Sequence, residues 1–282
     1  NLRLEIIGQK NDKRSYAMKR CVEIMCKDEP YGIPRLGSIE DIDGIAAADL
    51  YAYYKTAVLT APFDVFVVGD TDIAPIHAKI TEMFAPISVT GAYPKSVVIP
   101  TVSEVKTVTE TEKIVQGKLS LGFRTKLEPS DAKYPALMLY NAVLGSGIFS
   151  KLFNNVREKL SLAYYASSSV DYLKGIMTIN SGIEVENFQK CYDEIFVQMD
   201  AIKNGDVTEH EFTAAKLGSI NNIKSVTDSA FMMEDYYLSR LIIGRYIELD
   251  DLARTVEKVT AADVVAVAQE IELDTVYFLK GI

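Results

Sequence analysis

The chain has no tryptophan, only two histidines and only three cysteines in 282 residues. Each scarcity excludes something. Two separated histidines, His77 and His210, leave a zinc site built inside this chain short of its commonest ligands. Three cysteines, Cys21, Cys26 and Cys191, are an odd number in a large chain. That argues against a disulfide scaffold and for a reducing, cytoplasmic setting. No apolar run approaches the roughly 18 residues that a membrane span needs, and nothing at the start reads as a secretory leader. A surplus of positive charge is missing too: the net charge is −9 and the basic residues are scattered. Nucleic acid and anionic membranes, which need a concentrated positive surface, are therefore not expected partners.

What is present is globular. Apolar residues make up 48 % and charged residues 24 %, in a chain long enough for one large domain or two ordinary ones. Apolar spacing predicts helix over 1–27, with Cys21 and Cys26 as ordinary helix residues. "DEPYGIPRLGS" then forces a loop. Ser38 offers an N-cap with Asp41 three residues on, and Ile42 to Tyr54 carry a helix. "DVFVVGD" (64–70) reads as a buried strand, and 72–85 as a helix. "PISVTGAYPKSVVIPT" reads as an extended connection. Two antiparallel strands are expected in "SEVKTVTETEKIVQGKLSLGFRT", then helices near 131–143 and 149–160. A hairpin turns at Lys174-Gly175. Helical patterns cover 186–204, 208–226, 229–243 and 249–271, before the strand "TVYFLKG".

An internal repeat organises these elements. "IAAADLYAYYKTAVL" (45–59) resembles "VTAADVVAVAQEIEL" (259–273), and an apolar strand pattern comes after each. A duplication would make 102–282 a nearly whole second copy and 1–86 the end of a first, joined by a linker at 87–101. The chain also begins at Asn1 inside a periodic segment. It is therefore expected to be a fragment, with a hundred or so residues upstream.

The stretch with chemical interest is "GSGIFSKLFNNVREKLSLAYY" (145–165). It lacks the ending of a phosphate-binding loop, and a helix rather than a strand precedes it. Gly145 and Gly147 read as the end of one helix, where a positive φ suits glycine, and the start of the next. Phe149, Leu152, Phe153 and Val156 have the spacing of a buried helix face. Arg157 lies at the edge of that face and Tyr164 opens the hairpin. Together they could grip a peptide carbonyl or carboxylate. The plainer reading is a buried ion pair of Arg157 with Glu158 or Asp171, and a core tyrosine.

This stretch resembles the signature of the insulinase-like metallopeptidases, the family that includes pitrilysin and the mitochondrial processing peptidase. "YYKTAVLTAPFDVFVVGDTD" and "EPYGIPRLGSIEDI" resemble other parts of the family in the same order. The resemblance implies an α+β fold of two homologous domains, each a largely antiparallel sheet backed by helices, the first truncated at its N-terminus. It implies lobes that close around a peptide. In active members two histidines and a glutamate hold zinc, in a His-x-x-Glu-His motif with a distal glutamate. That motif is absent from this chain. Only Glu5 matches the distal glutamate, and by position alone. Arg157 and Tyr164 match an arginine and a tyrosine that touch substrate from the second lobe.

The resemblance is closest to the bacterial subunits that lack the zinc motif. It implies half of a peptide-enclosing chamber, without a cofactor of its own, beside a second lobe or subunit in a hetero- or homodimer. Zinc would belong to the full protein or the partner. Two alternatives stand: an active zinc endopeptidase whose motif lies upstream, and a non-proteolytic assembly subunit.

Overall fold

The computed structural model describes residues 1–91, 101–128 and 130–281. In chain order the elements are α1 (Leu2–Gly8), α2 (Lys13–Met25), α3 (Ile39–Gly44), α4 (Ala47–Thr60), α5 (Ile73–Phe84), β1 (Lys106–Glu112), β2 (Gly117–Arg124), α6 (Tyr134–Leu144), β3 (Ala163–Asp171), β4 (Ile176–Ile183), α7 (Phe188–Lys203), α8 (Glu209–Ser225), α9 (Ala230–Ile243), α10 (Leu249–Lys258), α11 (Ala261–Ala268) and β5 (Glu272–Gly281). They fall into two compact units. One comprises 1–36, 97–225 and 247–282, and the other 37–96 and 226–246. This partition is by compactness and does not follow the chain segments 1–86 and 102–282 expected from the repeat. Most of the expected linker, residues 92–100, lies outside the described residues.

The larger unit is an α+β fold. Its five strands run in the order β1-β5-β2-β4-β3. All pairs are antiparallel except β1 with β5. β1 and β2 are the two expected strands and run in opposite directions, but they are not neighbours: β5 lies between them. The four residues 113–116 step across it, which matches two strand spacings of about 4.8 Å. β5 suits the inner position because Val276, Tyr277, Phe278 and Leu279 give it buried apolar side chains on both faces.

α2 covers one face of the sheet, where Ala17 and Cys21 meet Tyr277 and Leu279. The helix comes close because Gly122 has no side chain: a Cβ there would lie 2.8 Å from Met25 Sδ. α7 covers the other face, with Phe188 4.7 Å from Phe278 and Phe196 6.2 Å from Phe123, ring to ring.

Several long helical patterns are broken by caps. Asp12 accepts hydrogen bonds from the backbone of Arg14 and Ser15 and starts α2 afresh. Thr260 forms a capping box with Asp263 and divides the 249–271 pattern into α10 and α11. Ser38 and Asp41 form the expected capping box, but the helix ends at Gly44 and α4 starts separately. Side-chain oxygens that satisfy orphan amide donors interrupt a periodicity without changing its phase. No described helix is long and apolar enough to cross a membrane.

In the smaller unit α4 starts at Ala47 as α11 starts at Ala261, at the aligned positions of the repeat. Beyond these two helices the copies diverge. Residues 64–68 form no strand, and Val65, Val67 and Val68 are exposed. The expected buried strand is therefore not found. A strand needs a neighbour to satisfy its backbone, and among the described residues this unit has none.

A buried ion cluster ties the larger unit together at one end of the sheet. Arg124 Nε donates to Asp274 at 3.0 Å, and its Nη2 donates to Glu29 at 2.6 Å and to the Met25 carbonyl at 3.0 Å. Lys174 pairs with Glu29. Lys106 Nζ reaches Asp274 at 3.2 Å and the Met25 carbonyl at 2.9 Å. Burial alone would raise the Glu29 carboxyl pKa. Hydrogen bonds from Arg124 and Lys174 outweigh burial and hold it below its ordinary value. We expect Glu29→Gln to destabilise the protein by about 3 kcal/mol, because it removes a buried carboxylate that faces both Arg124 and Lys174. A depressed carboxylate pKa stabilises the fold above the unfolded value, near 4.5, and that stability is lost as pH falls through the folded value. Urea titrations between pH 7 and pH 3 should show the variant losing less stability with acid than the parent. Equal acid sensitivity would refute this role for Glu29.

Candidate functional site

The candidate site is built where α6 hands over to β3. α6 buries most of its length, including Tyr140, Val143 and Leu144. Its end is stitched to β3. The Ser168 amide donates to the Gly145 carbonyl at 3.1 Å, and Ser168 Oγ donates to Asn141 Oδ1 at 2.7 Å. Gly145 has φ −158°, so the expected positive φ is not why glycine stands there. A Cβ at Gly145 would sit 2.5 Å from the Ser168 amide nitrogen, so close approach is the reason. This contact also occupies one outward amide of β3, which the order of strands makes an edge.

The next helix is not an α-helix. Leu152–Lys159 is π-helical, and the Leu160 amide reaches back five residues to the Asn155 carbonyl at 3.1 Å. Asn155 holds the widened turn: its amide donates to the Lys151 carbonyl and, at 2.7 Å, to Gln198 of α7. The widening changes which residues face inward. Leu152 and Val156 are fully buried, as expected, but Phe153 is half-buried and Phe149 is 52 % exposed. Phe149 instead packs edge-on against His210 at 5.6 Å. Such turns recur at functional sites.

The same turn presents Arg157. Its side chain is 43 % exposed, with Nε 3.4 Å from Glu158 and the guanidinium 4.8 Å above the Phe153 ring. Ser161 then adopts φ 50°, a left-handed conformation unusual for serine. The chain turns there and enters β3.

The two tyrosines at the start of β3 separate. Tyr165 lies beneath the Arg14 guanidinium, 4.1 Å from ring centre to Cζ. Tyr164 is 53 % exposed, and its hydroxyl donates to Glu184. That bond raises its phenol pKa above the ordinary value. The plainer reading of these residues is thus corrected: the Arg157–Glu158 pair is exposed, Tyr164 is not in the core, and Asp171 accepts from Tyr31 instead.

Glu184 carries no sequence motif, although the hairpin register that pairs Ala163 with Ile183 points to it. The π-turn and the Ser161 conformation leave no periodic signal. Glu5 is exposed on α1, and no three histidine, cysteine or acidic side chains gather as a metal site among the described residues. His77 and His210 are exposed. The cysteines are buried, and burial pushes the Cys26 thiol up to about 11, which makes them poor nucleophiles.

Two substitutions test this corner. Gly145→Ala should cost about 1–3 kcal/mol by overpacking against Ser168. Ser161→Gly should stabilise by about 0.5–1 kcal/mol by relieving the left-handed residue. Denaturant midpoints measure both, and a neutral Gly145→Ala would contradict the close approach.

Comparison with known proteins places these features. The family model described as "Peptidase M16 inactive domain" matches residues 44–218, more than half of the chain. The chain is 36 % identical over 271 residues to the "Probable inactive metalloprotease YmfF" of Bacillus subtilis, covering 96 % of the chain and 64 % of that protein. The crystal structure of a conserved protein from Enterococcus faecalis matches all of the chain and 67 % of its own, at 29 % identity and a TM-score of 0.92. A peptidase M16 inactive domain from Pseudomonas fluorescens shares the fold, at 21 % identity and a TM-score of 0.82 over 99 % of the chain and 68 % of its own. The chain thus spans about two thirds of the length of these relatives. On the family match and the identity to YmfF together, it belongs to the M16 peptidase family, the insulinase-like metallopeptidases.

Proposed function

We propose that this chain forms part of one half of a peptide-enclosing chamber, where it binds and orients substrate without a metal centre of its own. On this reading residues 1–86 end one lobe, residues 102–282 form the second, and a further lobe or subunit faces them. The observation that carries the reading is the exposed pair Arg157 and Tyr164, presented on either side of the Ser161 corner. A buried pair would be structural. An exposed guanidinium held against Phe153, and an exposed phenol held by Glu184, are oriented donors with solvent on one side.

Arg157 suits a peptide carbonyl or carboxylate because its planar fork donates two parallel hydrogen bonds. Tyr164 adds a neutral donor. Its hydroxyl can exchange the Glu184 carboxylate for a ligand oxygen, with no buried group stranded. The word "inactive" in the YmfF name and in the family description supports binding over cleavage by this chain.

Binding of a fluorescein-labelled, unstructured 15-residue peptide, read by anisotropy, tests the proposal. Arg157→Ala should weaken binding about tenfold, as expected for a charge-assisted hydrogen bond. Tyr164→Phe should weaken it about threefold and leave thermal stability unchanged. Unchanged affinity in both variants would overturn the assignment.

A further inference from the structure

A groove of about 850 Å³ opens on the sheet face that carries α2, in the larger unit and distinct from the Arg157 corner. Ser169 of β3 and Thr178 of β4 line its floor. Met18 and Val22 of α2 form one wall, and Tyr31 and Ile33 of the loop after α2 form another. Ile33 is 71 % exposed although apolar.

Charge is what distinguishes this groove. Five charged side chains line it: Glu5, Lys19, Glu23, Arg35 and Asp171. Glu23 is ion-paired, and Lys19 and Asp171 are held by neutral groups. Lys19 donates to Gln9, Glu23 accepts from Arg20, and Asp171 accepts from Tyr31. Glu5 and Arg35 are exposed, opposite in sign, and have no side-chain hydrogen bond or ion pair among the described residues. Charges of both signs line the groove, and among the described residues Glu5 and Arg35 are the two with no side-chain bond to give up, so they complement a ligand that carries both signs.

The floor adds hydrogen-bonding capacity. Ser169 and Thr178 hydroxyls are 3.0 Å apart, and either is able to donate to the other. The pair uses one of its two hydroxyl protons, so the other is available to a ligand oxygen. Thr178 is also fixed from the far side by Asn180 at 3.2 Å, and Asn180 by Ser120 at 2.8 Å. The wall is rigid as well: the loop that carries Tyr31 is anchored through Glu29 to Arg124 and Lys174. A preformed groove loses little entropy on binding.

We propose that this groove binds an extended peptide segment. A cationic group of the peptide meets Glu5, a carboxylate meets Arg35, an apolar side chain lies on Ile33 and Tyr31, and a backbone carbonyl accepts from the Ser169–Thr178 pair. Alternation of apolar side chains with amides and charges matches this lining, whereas an apolar ligand would strand both charges. The inference rests on the peptide-binding reading and adds a second point of attachment to it.

Charge reversal tests it. Two labelled 12-residue peptides are compared: one carries lysine near its N-terminus and glutamate near its C-terminus, the other has the two exchanged. Glu5→Lys and Arg35→Glu should each weaken the better-bound peptide about fivefold, as expected for an exposed ion pair reversed in sign. The double variant should reverse the preference between the two peptides. Both positions are exposed, so thermal unfolding should be unchanged and serves as the folding control. If the double variant keeps the parent's preference while Arg157→Ala still weakens binding, the groove assignment is overturned and the chamber reading stands. If the parent binds neither peptide, the chamber reading fails and the groove with it.

Discussion

The larger unit depends on one buried guanidinium. Arg124 is the meeting point of α2, the 26–32 loop, β2 and β5, and through Glu29 it also holds the β3–β4 turn. A charge removed from water must be matched closely or it costs several kcal/mol, so the cluster tolerates few alternative arrangements. Its contribution is therefore better viewed as specificity than as strength. α2 precedes the sheet by about eighty residues, and a helix packed on apolar side chains alone could slide along them. Two cations on the Met25 carbonyl fix where that helix ends, which also suits the negative end of its dipole.

The same fixation reaches the surface. Glu29 holds the loop whose Tyr31 and Ile33 wall the groove, while Asn155 and Gly145 hold the corner that presents Arg157. Both places combine a rigid interior with a few exposed polar groups. The exposed groups at the corner have intramolecular partners, Glu158 and Glu184, which orient them until a ligand replaces those contacts. Rigid support beneath adjustable donors is the usual arrangement of a binding surface.

Much of this was legible in the sequence, and the exceptions have physical causes. Apolar periodicity located α2, α6, α7, α8 and α9, and the hairpin at Lys174-Gly175, because burial follows local geometry there. It did not resolve α10 from α11, since Thr260 and Asp263 interrupt the backbone without disturbing the apolar phase. It found β1 and β2 as two strands but not that β5 separates them, because adjacency in sequence says nothing of a strand that arrives later. It gave "DVFVVGD" as a strand from composition, whereas strand formation requires a partner that the described residues of that unit do not offer. At the site, Arg157 and Tyr164 stood out by residue type and spacing. The π-turn was hidden, because one extra residue in a helical turn leaves the same apolar residues in nearly the same order. The reason for Gly145 was hidden too: close approach to Ser168 is a tertiary demand that no local rule contains.

The position of β5 has a consequence for how the protein is made. An inner strand joins the strands on its two sides, and this one, between β1 and β2, comes after β1 by 168 residues, counted from Lys106 to Asp274. During synthesis β2, β4 and β3 can assemble as a hairpin-linked ribbon, but β1 has nothing to pair with until β5 leaves the ribosome. At translation speeds of about 5–20 residues per second that is a wait of many seconds, during which one edge of β2 and both edges of β1 are open. The alternating charges of β1, with Lys106, Glu110 and Glu112 along a threonine-rich strand, suit that interval. They keep an unpaired strand soluble while it waits for its neighbour.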